Sequence, residues 1–128
     1  MILPVKTRSR TELVDITGDV QAAISEAGVR DGFCMVFVPH TTAAVTINEN
    51  ADPTVKDDML KVINKIIPWD DGYRHLEGNS AAHIKSTLVG ASELWAVVGG
   101  KLQLGTWQGI FFCEFDGPRR RKAHLHFI

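Results

Sequence analysis

A chain of 128 residues, 45% hydrophobic and 23% charged, has the makeup of one globular domain spanning 1–128. Such a chain buries about two-thirds of its unfolded surface. With 14 basic against 15 acidic side chains, its formal charge of −1 lacks the phosphate-neutralising surplus of a general nucleic-acid binder. No apolar run approaches the ~20 residues of a membrane span, and the opening Met1-Ile2-Leu3-Pro4-Val5-Lys6 is not laid out as a signal peptide. The expectation is a cytoplasmic protein with neither nucleic acid nor membrane as partner.

Val5 to Arg10 alternates basic and small polar residues, the pattern of a strand with one solvated face, and Glu12 to Ile16 is its expected partner. Thr17 or Asp19 is placed to cap a helix with Val20, Ala23, Ile24 and Ala27 as its apolar face and Gly28 as its end. Gly32 to Val38 is apolar on both faces, as in a central strand, and Pro39 ends it ahead of His40-Thr41-Thr42. Ala43 to Asn48 is a further strand, rich in β-branched residues. Asp52 as N-cap and Pro53 in the first turn mark a second helix. Val55, Met59, Val62, Ile63 and Ile66 are its expected buried stripe, and Pro68 stops it. Trp69 to Gly78 is irregular and polar, long enough for a functional loop. Asn79 or Ser80 then caps a short helix that carries His83 and runs to Gly90.

Glu93 to Val98, Gly99-Gly100 and Lys101 to Leu104 form a hairpin pattern, since the two glycines supply the positive φ of a two-residue turn. From Ile110 onward, Phe111, Cys113 and Phe115 point one way and Phe112, Glu114 and Asp116 the other. Lys122 to Ile128 closes the chain as a last strand. Three helices interrupting hairpin-linked strands indicate a single α+β domain with a mainly antiparallel sheet. Cys34 and Cys113 each sit inside an apolar strand-like run and read as small core hydrophobes, not as a disulfide or a nucleophile.

Four polar groups carry candidate chemistry. His75 and His83 flank Glu77 and Asn79; neutral imidazoles with carboxylates suit a metal, although the spacing matches no tight metal signature. In Thr46-Ile47-Asn48-Glu49-Asn50-Ala51-Asp52 a strand ends in four polar groups, of which capping needs only Asp52. Gly105-Thr106-Trp107-Gln108-Gly109 either fixes hairpin geometry or presents Trp107 and Gln108 to stack on and orient a small ring. Glu114 and Asp116 are followed by Gly117-Pro118 and then Arg119-Arg120-Arg121. Alternation points Arg119 and Arg121 together, and their planar forks suit phosphate. Arg120 reads as charge protecting an edge strand.

With these blocks in view, the chain resembles the YjbQ-like family, also called the secondary thiamine-phosphate synthase enzyme family. The resemblance rests on His40-Thr-Thr-Ala-Ala-Val-Thr-Ile-Asn-Glu-Asn-Ala-Asp52, on His75 with Asn79-Ser-Ala-Ala-His-Ile-Lys85, and on Leu104-Gly-Thr-Trp-Gln-Gly leading to Glu114-Phe-Asp-Gly-Pro-Arg119 and Arg121. These cover most of the chain from residue 40 onward. His124 and His126 depart from the family pattern in the last strand, and no function is carried onto them.

The resemblance implies a sandwich-like antiparallel sheet, a homotrimer, and a polar cleft near a subunit boundary where the motif residues gather. It implies a weak thiamine-phosphate synthase activity, which joins a pyrimidine diphosphate to a thiazole phosphate with loss of pyrophosphate. The activity is regarded as secondary, so the physiological role is open. A divalent metal, zinc or magnesium, is implied with His75 and His83 as main ligands and His40 as a third. Glu49 or Asp116 would add carboxylate charge, and Arg119, Lys85 and the ion would neutralise the departing pyrophosphate. Trp107 and Gln108 would orient the ring, Glu114 would serve as a general base, and Asn48, Asn79 and Arg121 would contact substrate. A non-catalytic trimeric module binding metal and phosphorylated metabolites would use the same cleft.

Overall fold

Hydrophobic alternation sorts the strands into two antiparallel sheets in the computed structural model, which describes residues 1–128. The larger sheet runs in the order β1 (Ile2–Lys6), β8 (Arg120–Phe127), β3 (Gly32–Phe37), β5 (Ser92–Val98), β6 (Lys101–Leu102). The smaller has β7 (Gln108–Glu114) between β2 (Glu12–Asp15) and β4 (Ala43–Glu49). In β7, Ile110 and Phe112 face the core between the sheets, while Phe111 and Cys113 face a second core under two helices. Each fully buried aromatic of this kind contributes about 1.5–3 kcal/mol. The α+β, sandwich-like expectation therefore holds, and the β7 alternation is as read.

Helix α1 (Thr17–Ala27) buries Val20, Ala23 and Ile24 against the inter-sheet core, and Gly28 ends it at φ 69°. Its N-cap position is Ile16, without a side-chain cap. Thr17 is committed elsewhere: its hydroxyl donates to Asp15 Oδ1 at 2.7 Å and accepts from Ile110 N at 2.8 Å. Helix α2 (Pro53–Ile66) starts as expected, with Asp52 Oδ1 accepting from Thr54 N at 2.9 Å. Helix α3 (Ser80–Val89) turns Ala81, Ala82 and Lys85 inward.

Three expectations are corrected by tertiary pairing. The first strand starts at Ile2 and pairs with β8, and β2 pairs with β7, so the first two strands lie in different sheets. The α2 stripe is not buried: Met59, Leu60 and Ile63 pack on the second core, but Val62 and Ile66 are 54% and 66% exposed. A three-stranded sheet is too narrow to cover the helix, leaving an apolar groove of ≈ 600 Å³ lined by Leu13, Met59, Ile66, Leu88 and Phe115 among others. Finally, β3 is covered on one face only. Phe33 and Phe37, with Leu94 and Val98 of β5, form an exposed apolar outer face on the larger sheet.

Candidate functional site

The polar end of the smaller sheet is built on a buried ion pair. Glu114, the last residue of β7, is 0% exposed, and Arg121 of β8 is 7% exposed. Arg121 Nε donates to Glu114 Oε1 at 2.8 Å, and its Nη2 donates to Oε2 and to Thr42 Oγ1. Thr7 Oγ1 donates to Oε1 at 2.8 Å and Asp116 N to Oε2 at 3.0 Å. Burial alone would push the Glu114 carboxyl up, but the bonds from Arg121, Asp116 N and Thr7 outweigh it and hold it below the usual range. A carboxylate saturated by four donors cannot take a proton from substrate. Glu114 and Arg121 are therefore structural, and Arg119 and Arg121 do not point together as alternation suggested, because Arg119 precedes β8. Thr7 and Thr42 hold this pair without any sequence signal beyond being small hydroxyl residues.

The pair anchors a second set, of which only Arg119 is well exposed. Asp116 Oδ2 accepts from Asn79 Nδ2 and from Arg119 Nη2, both at 2.9 Å, and Arg119 Nε also donates to Asp116 O. Asn79 thus ties the start of α3 to the end of β7, which explains why its side chain does not cap the helix. Its Oδ1 is buried with no partner. His83 lies one turn along α3 from Asn79, and its ring meets that of His75 edge-on with centroids 5.5 Å apart. A shallow cavity of ≈ 400 Å³ opens there, lined by Tyr73, Arg74, His75, Ser80, His83 and Ile84. The structure brings Asp116, Arg119, Asn79, His83 and His75 into one region.

Four of the others lie apart. The β4–β7 register pairs Ala43 with Glu114 and Glu49 with Gln108, so Asn48, Glu49, Trp107 and Gln108 sit at the opposite end. Six strand residues separate the two ends, roughly 20 Å. There Gln108 Oε1 accepts from Gly105 N at 2.8 Å, closing its own turn, while Trp107 is 64% exposed. His40 Nε2 accepts from Lys122 N at 3.1 Å and its ring abuts Phe112. Burial, with Arg121 beside it, pushes the His40 imidazole below its usual range, so it stays neutral. Lys85 follows His83 by two residues, about 200° around the helix, and faces α2 instead of the cavity. The two cysteines are free and buried, their thiols pushed up by burial to about 11 for Cys34 and about 12 for Cys113, as befits core residues.

For a metal, the nearest donors are His75, His83 and Glu77, whose Oε1 lies 4.0 Å from His75 Nε2. No three His, Cys, Asp or Glu residues converge in an arrangement able to hold an ion. His75 and His83 offer two neighbouring imidazoles, short of the three donors that a site within this chain would need.

The fold and this end of it define a class: a small two-sheet α+β domain whose strand ends present an acid, an arginine, an amide and paired imidazoles. The sequence places it further. The profile of the family described as UPF0047 protein YjbQ-like matches residues 1–128, so the chain belongs to that family. It is 56% identical over 124 residues to UPF0047 protein MJ1081 of Methanocaldococcus jannaschii, covering 97% of this chain and 90% of that one. It is 53% identical to UPF0047 protein YugU of Bacillus subtilis, covering 96% and 94%. Among solved structures, a YjbQ/UPF0047 protein of Clostridium acetobutylicum, described as uncharacterized, superposes with TM-score 0.97 at 51% identity, covering 100% and 99%. A YbjQ-like protein of unknown function from Sulfolobus solfataricus gives TM-score 0.94 at 35% identity, covering 99% and 94%.

Proposed function

We propose that this chain is a metal-assisted transferase acting on small phosphorylated substrates, with its chemistry at the cavity beside His75 and His83. The observation that carries this reading is the hydrogen-bonded set Asp116–Asn79–Arg119, fixed from behind by the buried Glu114–Arg121 pair and lying one helical turn from His83. Such backing preorganises charged groups without leaving them to water. Arg119, half-exposed with a guanidinium already oriented by Asp116, is suited to a phosphoryl oxygen. Asn79 Oδ1, buried without a partner, keeps an acceptor site free beside this set. His75 and His83 would hold a divalent ion, zinc or magnesium, which when bound would offset the negative charge of a departing pyrophosphate.

The substrate pair consistent with the family resemblance is a pyrimidine diphosphate and a thiazole phosphate, joined with loss of pyrophosphate, as a secondary activity. Assembly as a homotrimer, which the family resemblance implies, would fit the reading in two ways. It gives occupants to the two apolar faces on opposite sides of the chain, the α2–α3 groove and the outer face of the larger sheet; two unlike patches suit a closed head-to-tail ring. It would also allow Glu49, Trp107 and Gln108 of one copy to approach the imidazole pair of another.

The test is pyrophosphate release from that substrate pair, measured with added divalent ion and with chelator. Release that requires the ion and is lost in His83→Ala is the expected result. Release that is unchanged by chelator and by His83→Ala would overturn the reading. Stabilisation by the same compounds with no turnover would replace it with a non-catalytic module that binds metal and phosphorylated metabolites.

A further inference from the structure

The strongest unexplained feature lies on the far face of α3. Lys85 is 2% exposed, yet its ammonium has a single hydrogen-bond acceptor, the neutral Asn64 Oδ1 at 2.6 Å. Asn64 is itself committed, its Nδ2 donating to Thr11 Oγ1 at 3.2 Å. No carboxylate lies within ion-pair distance of Lys85: the three ion pairs of the chain involve His75, Arg119 and Arg121. The neighbouring charge is of the same sign. Arg10 lies close enough to push the Lys85 ammonium down, after burial itself, and its guanidinium stacks 4.2 Å above the Trp69 ring. Arg10 also lacks a carboxylate partner, and its backbone is pinned by Gly117 N donating to Arg10 O at 3.0 Å.

Burying a cation without a counter-charge is costly, and a second cation beside it makes the cost larger. The placement explains itself once an anion is added. Lys85 supplies a buried point charge, the exposed Arg10 a planar fork, and Thr11, whose oxygen accepts from Asn64, a hydroxyl proton still free to donate, a donor set matched to phosphate oxygens. Arg10 and Thr11 belong to the segment between β1 and β2, with Arg10 exposed and Thr11 half-buried. The geometry points to an anion subsite formed by Lys85, Arg10 and Thr11, taking a phosphoryl or pyrophosphoryl group and separate from the imidazole cavity. It stands whether or not the metal-assisted reading does, because its residues face the other side of α3.

The test is a thermal-shift titration of the whole purified protein in chelator, with inorganic phosphate and with pyrophosphate, against chloride at matched ionic strength. The wild type should be stabilised by either oxyanion and not by chloride. Lys85→Met should lose that stabilisation while melting no lower than the wild type in anion-free buffer, because an unpaired buried charge is removed. Arg10→Ala, on the surface and not expected to disturb folding, should bind pyrophosphate about tenfold more weakly or worse, equivalent to one charge-assisted hydrogen bond. Arg120→Ala, an exposed arginine at the start of β8 outside both sites, should keep the full response. No oxyanion-specific stabilisation of the wild type, or an undiminished response in Arg10→Ala, would overturn the subsite. Failure here leaves the pyrophosphate-release test of the imidazole cavity unaffected, since chelator removes any metal contribution.

Discussion

Arg121→Met is the substitution that most sharply probes the buried frame. Glu114 receives four donors on two oxygens, and Arg121 supplies two of them together with the only counter-charge. At about 1.5–3 kcal/mol for each hydrogen bond to a charged group, the two lost bonds amount to roughly 3–6 kcal/mol. The usual loss on removing one partner of a buried ion pair is similar, about 3–5 kcal/mol. Urea denaturation at neutral pH and fixed protein concentration should therefore show a midpoint shift of that size. The loss should shrink on acidification, by at most ~1.4 kcal/mol per pH unit, because the orphaned Glu114 can take up a proton. In the wild type the sign is the reverse. The folded pKa of Glu114 lies below its unfolded value, so its contribution is complete above about pH 4.3 and is lost as pH falls through the folded pKa. A double variant, Glu114→Gln with Arg121→Met, should recover much of the stability. An Arg121→Met protein within 1 kcal/mol (about fivefold in the folding equilibrium) of the wild type would refute the structural assignment of this pair.

Other expectations follow from single contacts. A Cβ at Gly117 would collide with Ser9 O and meet Glu114 Cγ at 2.8 Å, so Gly117→Ala should cost about 1–3 kcal/mol in the same denaturation assay; an unchanged midpoint would contradict the packing described. For His40, whose folded pKa is lowered, the contribution is present above about pH 6.5 and is lost as pH falls through the folded pKa. His40→Gln should flatten that part of the stability profile, and an unaltered slope would count against a neutral, half-buried imidazole. Ile66→Glu and Leu94→Glu place a charge on each of the two exposed apolar faces. If copies assemble through them, light scattering should report a smaller species for either variant, and intact assembly in both would remove these faces from the interface.

Much of the fold was legible because it depends on local chemistry. Asp52-Pro53 marked the start of α2, Gly28 the end of α1, and the β7 alternation divided the two cores correctly. What sequence reasoning could not see was which element covers which face. The same apolar period in α2 serves a buried helix or a half-covered one, and β3 reads alike whether one or both faces are packed. The site followed the same rule. Asp116, Arg119, Asn79, His75 and His83 come together because they cluster at element ends on one side of the smaller sheet. Glu49 and Gln108 pair with each other, but their register carries them to the far end. Thr7, Thr42, Arg10, Asn64 and Trp69 were missed because their roles arise only from long-range contacts. The one hint for Arg10 was the basic alternation of the opening segment.

The central claim is that His75 and His83 hold a divalent ion for chemistry on phosphorylated substrates. Elemental analysis of the purified protein, paired with His75→Ala and His83→Ala, tests it most directly. The account predicts a stoichiometric divalent metal in the wild type that chelator removes, and its loss from both variants. Metal-free wild-type protein that also fails to take up zinc or magnesium on titration, or variants that keep a full complement, would contradict it.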